Sequence, residues 1–133
     1  MEFLFILGRA LFGGYFLMNA YNHFKNHGAL TGYAQSKGVP MASVAVYATG
    51  VILGLGGLGI LLGVRTGWAV LLLSVFLIGT TYQMHQYWKV TDPMMRMGER
   101  INFYKNIALL GGLLMTLAIP TPWSMSRLLP LLK

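Results

Sequence analysis

Four apolar stretches make up most of this 133-residue chain: Phe3 to about Tyr21, Met41 to Leu62, Gly67 to about Tyr87, and Ile101 to Ile119. Each approaches the ~20 residues with which a helix crosses a ~30 Å hydrocarbon core. Inside a bilayer the backbone must satisfy its own hydrogen bonds, which selects helices over open sheet. The expected fold is therefore all-α: a membrane-embedded four-helix bundle with short interfacial helices, formed by residues 1–133 as one domain. Composition agrees, with 56% hydrophobic and only 10% charged residues, where a soluble domain carries about 25% charged.

Several function classes drop out. There is no cysteine, so thiol chemistry and Cys-ligated iron–sulfur or zinc sites are excluded. The net charge of +7 comes from basic residues scattered at the ends of the apolar stretches. That pattern suits anionic lipid head groups rather than nucleic acid. The first stretch has no basic n-region, carries Arg9 within its apolar run and shows no A-x-A-like cleavage site. It is expected to be a permanent span and not a processed signal. No nucleophile–base pair, phosphate loop, paired carboxylate or nucleotide fingerprint is found, so an independent enzyme is not expected.

The connections are punctuated. Ala29–Lys37 is expected to form a short interfacial helix, with Gly38 as its stop and Pro40 setting the first turn of the second span. Arg65-Thr66-Gly67 is a turn short enough to make the second and third spans antiparallel neighbours. Asp92-Pro93 caps a short segment, PMMRMGER, whose Arg96, Glu99 and Arg100 are expected to face head groups before the fourth span begins. Beyond Pro120 an interfacial Trp123 and an amphipathic stretch from Arg127 to Lys133 are expected. The second span carries the small-xxx-small pairs Gly50/Gly54 and Gly59/Gly63, which let backbones approach closely where no water drives association. The basic residues split six to four between the two faces, too even to orient the chain by the positive-inside rule.

The chain resembles the DoxX family of small four-helix membrane proteins. The likeness rests on Gly8-Arg9, Gly38-Val39-Pro40 and Leu62-Gly63-Val64-Arg65. It continues through His85-x-x-Trp88, Asp92-Pro93 and Phe103-Tyr104-Lys105-Asn106, ending at Gly111-Gly112-Leu113-Leu114. The resemblance implies an integral protein of a bacterial or archaeal cytoplasmic membrane. It further implies a small subunit of a larger quinone-linked redox complex, because the family takes its name from a subunit associated with thiosulfate:quinone oxidoreduction. Partners would be the lipid bilayer and either other membrane subunits or further copies of the chain. Family members often place a glutamate in the second span where this chain has Leu53, a departure that favours the alternative of a purely structural or assembly subunit.

The polar residues concentrate on the face that holds the first and third connections. His85, Trp88, Tyr104, Lys105 and Asn106 form the candidate site there, for a quinone or a lipid head group. Apolar walls with a few convergent polar groups suit an amphiphile, while the same aromatics also suit an interfacial anchoring belt. No intrinsic cofactor is expected beyond a possible quinone. His23 and His27, four apart on one helix, could join His85 as metal ligands, but histidine in a last turn equally complements the helix dipole, and no metal is expected. Arg9 is placed about two turns into the first span, level with Gly56-Gly57 and Gly111-Gly112. There it would either bond backbone carbonyls or snorkel to the surface.

Overall fold

A computed structural model describes residues 1–123. The stretch from Arg127 to Lys133 lies outside them. Five α-helices follow in order: α1 (Glu2–Lys25), α2 (His27–Ser36), α3 (Ala42–Leu62), α4 (Thr66–Met84) and α5 (Pro93–Met115). Short 3-10 turns at Tyr87–Lys89 and Thr116–Ala118 follow α4 and α5. Among the described residues no strand forms, and four stretches are long and apolar enough to cross a bilayer: Glu2–Lys25, Ala42–Leu62, Thr66–Lys89 and Pro93–Ala118. The chain is an integral membrane protein of all-α architecture.

Local chemistry sets the ends. Gly38 adopts φ +74 and closes α2 in a Schellman pattern, with Val39 N–H donating to Ala34 O and Gly38 N–H to Gln35 O. Pro40 falls in the turn that follows, two residues before α3 begins at Ala42. Asp92 accepts from Met95 N–H at 2.8 Å with Pro93 as the first helical residue. The helix nucleated there runs unbroken to Met115, so the PMMRMGER segment is the first part of α5 and not a separate interfacial helix. Nothing between Arg96 and Asn102 breaks the hydrogen-bond ladder, and the helix that carries the fourth apolar stretch starts at Pro93.

The core is small and sits between helices: Phe16, Leu53, Ile60, Leu73, Leu77 and Leu113 are fully buried. Large apolar side chains such as Leu11, Val51, Leu55, Leu71 and Ile78 point outward, which water would penalise and lipid tails accept. α3 packs against α1, α2 and α4, and α5 packs on α4. The α1–α3 crossing is backbone on backbone. A Cβ built at Gly13 would lie 2.9 Å from Gly57 O and 2.9 Å from Leu61 N.

Arg9 locks the same crossing. Its side chain is 4% exposed, and Nε donates to Ile60 O at 3.2 Å and Nη2 to Leu61 O at 2.6 Å. These are carbonyls of the last turn of α3, which have no partner within their own helix. Arg9 therefore sits about one turn nearer the helix end than Gly56-Gly57, and it does not snorkel. Its guanidinium lies over the Phe5 and Trp123 rings, 5.5 and 5.3 Å from their centroids. Trp123 is consequently 2% exposed and belongs to the core, not to an interfacial belt.

Candidate functional site

Between the helices, in the half of the bundle nearest α2, lies a cavity of about 350 Å³. Apolar side chains form most of its wall, including Phe16, Leu53 and Phe76. Polar groups converge from all five helices and one connection: Asn19 and His23 from α1, Tyr33 from α2, Thr49 from α3, Gln83 from α4, His85 just beyond it, and Lys105 and Asn106 from α5. This volume lies within the range of small-molecule pockets and has their composition.

The protonation pattern of the histidines follows from their partners. His23 Nδ1 lies 2.8 Å from Asn19 O. A carbonyl can only accept, so Nδ1 carries the proton and Nε2 is the acceptor of the neutral ring. His85 Nδ1 donates to Glu99 Oε2 at 2.7 Å. Asn19 Nδ2 is spent on Tyr15 O at 2.8 Å, and Asn106 is buried. Lys105 is exposed at the cavity edge and donates to Asn102 Oδ1 at 2.9 Å.

Glu99 organises this end of the molecule. Oε1 accepts from Lys37 Nζ at 2.5 Å and from Tyr33 O–H at 2.9 Å, while Oε2 takes His85. One carboxylate thus gathers α2, the residue after it, and the chain leaving α4. Gln83 Nε2 adds a bond to Lys37 O at 2.9 Å. Together they hold α2 over the cavity, where Leu30, Tyr33 and Ala34 form part of the wall.

Burial, followed by the hydrogen bond to Glu99 and the charge of Glu99, pushes the Tyr33 phenol up to about 12. The folded value exceeds the ordinary value of 10.0. Its contribution is therefore complete below that value and is lost as pH rises through about 12. A near-ultraviolet phenolate titration is expected to show a tyrosine ionising near pH 12 that Tyr33→Phe removes. An identical high-pH limb in the variant would count against this contact.

The five residues singled out from sequence divide. His85, Lys105 and Asn106 line the cavity. Trp88 and Tyr104 do not. They join Tyr87 and Phe103 in an edge-to-face cluster, with Trp88–Phe103 at 5.8 Å and Tyr87–Trp88 at 5.3 Å, and are 48% and 54% exposed. The histidines also part company. α1 ends at Lys25 and α2 begins at His27, so the helical spacing that would put His23 and His27 on one face is interrupted at Asn26. His27 Nε2 instead meets Ser43 O at 3.0 Å, and the ring stacks on Tyr47 at 3.8 Å. Among the described residues no group of three metal-ligating side chains gathers.

Asn19 and Gln83 line the cavity without a signal in the sequence, and Glu99, which the sequence puts on this same face, lies beside it through His85. Glu99 was placed among head groups, yet its side chain is only 11% exposed. A signal for it exists: Glu99, Asn106 and Leu113 recur every seven residues, which is one face of a helix, and Asn106 and Leu113 are the buried residues of α5.

Fold and cavity together define a small polytopic helical membrane protein with a largely apolar chamber, carrying a few polar groups, at one end of the bundle. The chain belongs to the DoxX family, whose family model matches residues 4–86. The match covers α1 to α4 and stops where the chain leaves α4 toward α5. No curated protein and no solved structure matches it significantly.

Proposed function

We propose that this chain is a small membrane subunit of a quinone-linked redox assembly, and that the interhelical cavity receives the head group of a quinone or a similar amphiphile. The observation that carries the reading is the convergence of His23, Gln83, His85 and Asn106 on an otherwise apolar chamber of about 350 Å³. A quinone carbonyl needs donors held in a dry wall. The Asn106 amide is such a donor, Gln83 keeps one amide N–H beside its bond to Lys37 O, and Lys105 at the edge adds a cationic donor. His85, Lys105 and Asn106 thus keep the role their sequence suggested, while Trp88 and Tyr104 act as an interfacial anchor beside the cavity. The chain works as one unit from residue 1 to 133 in a bacterial or archaeal cytoplasmic membrane, bound to other membrane subunits or to copies of itself.

A second reading, a structural subunit without chemistry, is favoured by Leu53. It is fully buried and lines the cavity, so the α3 wall is apolar at the position where an acid would serve proton transfer.

The test is purification of the tagged chain from native membranes in a gentle detergent, with quinone extraction and an absorption spectrum. Quinone is expected to co-purify, and Lys105→Ala with Asn106→Leu is expected to weaken its binding by more than about tenfold, since the pair removes one charge-assisted and one neutral hydrogen bond. Unchanged quinone content in the double variant would remove the cavity reading and leave the structural one.

A further inference from the structure

A second cavity, of about 310 Å³, lies at the opposite end of the bundle between the start of α1, the end of α3 and the end of α5. Its wall is apolar, with Leu4, Phe5, Phe12, Ile60 and Ile119 among the lining residues. Set into this wall is Arg9, 96% buried on the reading of its 4% exposure. A guanidinium offers five N–H donors. Nε and Nη2 are engaged by Ile60 O and Leu61 O, but Nη1 is buried and has no hydrogen-bond partner among the described residues.

Among the described residues no acidic side chain pairs with the positive charge either. The sequence contains three acidic side chains, Glu2, Asp92 and Glu99. Glu99 is held by Lys37 and His85 on the other face. Asp92 caps α5 there. Glu2 is seven residues from Arg9 along α1, about 10 Å of helix rise. The two carbonyls at the end of α3 offset part of the charge through the helix dipole, and the Phe5 and Trp123 rings offset a little more. A buried arginine with a spare donor and no carboxylate is short of one anion.

We propose that this second cavity binds an acidic membrane lipid, with the head-group phosphate set against the Arg9 guanidinium and an acyl chain lying against Leu4, Phe12 and Ile119. The apolar wall argues for a lipid over a free anion. A small hydrated ion would exchange its water shell for a single donor, whereas a lipid also buries its tail. The depth suits a head group, because Arg9 stands about 10 Å below the start of α1, within reach of the interfacial region. A neutral or zwitterionic lipid would satisfy the wall but not the charge.

The experiment uses the full chain in dodecyl maltoside, with native mass spectrometry and thermal unfolding as readouts. The probes are phosphatidylglycerol, phosphatidylcholine with the same acyl chains, and inorganic phosphate. Phosphatidylglycerol is expected to give a one-to-one adduct and raise the melting temperature. Phosphatidylcholine should bind at least tenfold more weakly, and inorganic phosphate should do neither. Gly8→Leu tests the location without touching Arg9: Gly8 lines the cavity and a Cβ there would meet nothing within 4 Å. That variant is expected to keep the lipid-free melting temperature and lose the phosphatidylglycerol adduct at least tenfold. Equal binding of the two lipids would overturn the proposal, as would phosphate matching phosphatidylglycerol, or an adduct that survives Gly8→Leu.

Discussion

Glu99→Ala is expected to destabilise the folded chain by about 3 kcal/mol, the lower end of what breaking a buried ion pair costs when one partner is removed. The carboxylate is 11% exposed and accepts from Lys37, Tyr33 and His85 at once. Its loss leaves an ammonium and an imidazole facing each other beneath α2 with nothing between them. The lower end applies because the Lys37 side chain is 23% exposed and can turn toward water. Glu99→Gln keeps an acceptor for Tyr33 but not the charge, so it should fall between parent and alanine. The measurement is unfolding in a denaturing-detergent titration, paired with limited proteolysis of the 37–41 connection. Faster cleavage there, with the rest of the chain resistant, is the signature of α2 lifting off the cavity. An alanine variant with unchanged stability and unchanged cleavage would mean that Glu99 is a surface ion pair and that α2 is held by its apolar contacts alone.

Glu99 marks where sequence reading stops: its neighbours in the sequence point to head groups, and the fold turns it inward. Span number, the tight turn at Arg65, the Gly38 stop and the Asp92-Pro93 cap all rest on composition or on local backbone chemistry, and each is visible in a few adjacent residues. Which way a side chain points around its helix is a different kind of information. In water it is written in the polar stripe, but lipid tails are as apolar as a protein core. α3 and α4 are accordingly apolar nearly all round, and their inward faces leave little trace. α5 does carry a stripe, Glu99, Asn106 and Leu113, yet it is read correctly only once the helix is known to begin at Pro93. Drawn from Ile101, the span excludes Glu99. Trp88 and Tyr104 lie off the cavity wall, which their sequence leaves open, since an aromatic at a membrane interface suits a pocket wall and an anchor equally. Arg9 is legible in the sequence as a cation within an apolar run, with carbonyl bonding and snorkelling both open to it. Its partners on α3, 51 and 52 residues away, are not.

Gly13→Val is expected to be the most damaging single change in the apolar part of the bundle, at about 3 kcal/mol or more, the upper range for overpacking. The added Cβ would stand 2.9 Å from both Gly57 O and Leu61 N, and backbone atoms of a helix cannot swing aside as a side-chain end can. α1 and α3 must therefore separate, and the separation acts on everything tied across that crossing. Arg9 loses its hold on Ile60 O and Leu61 O, the Phe16–Leu53 core opens, and the first cavity, whose walls come from α1 and α3, changes shape. Gly14→Ala supplies the contrast, because a Cβ at the next residue would meet nothing within 4 Å. Its effect should stay within about 1 kcal/mol, the helix-propensity difference between glycine and alanine. Helix propensity separates valine from alanine by less than about 1 kcal/mol, so it does not explain the larger gap expected between these variants. Only the α1–α3 contact does. Equal stabilities in a denaturing-detergent titration would show that the helices do not cross at Gly13 and Gly57, and the cavity walls drawn from that crossing would fall with it.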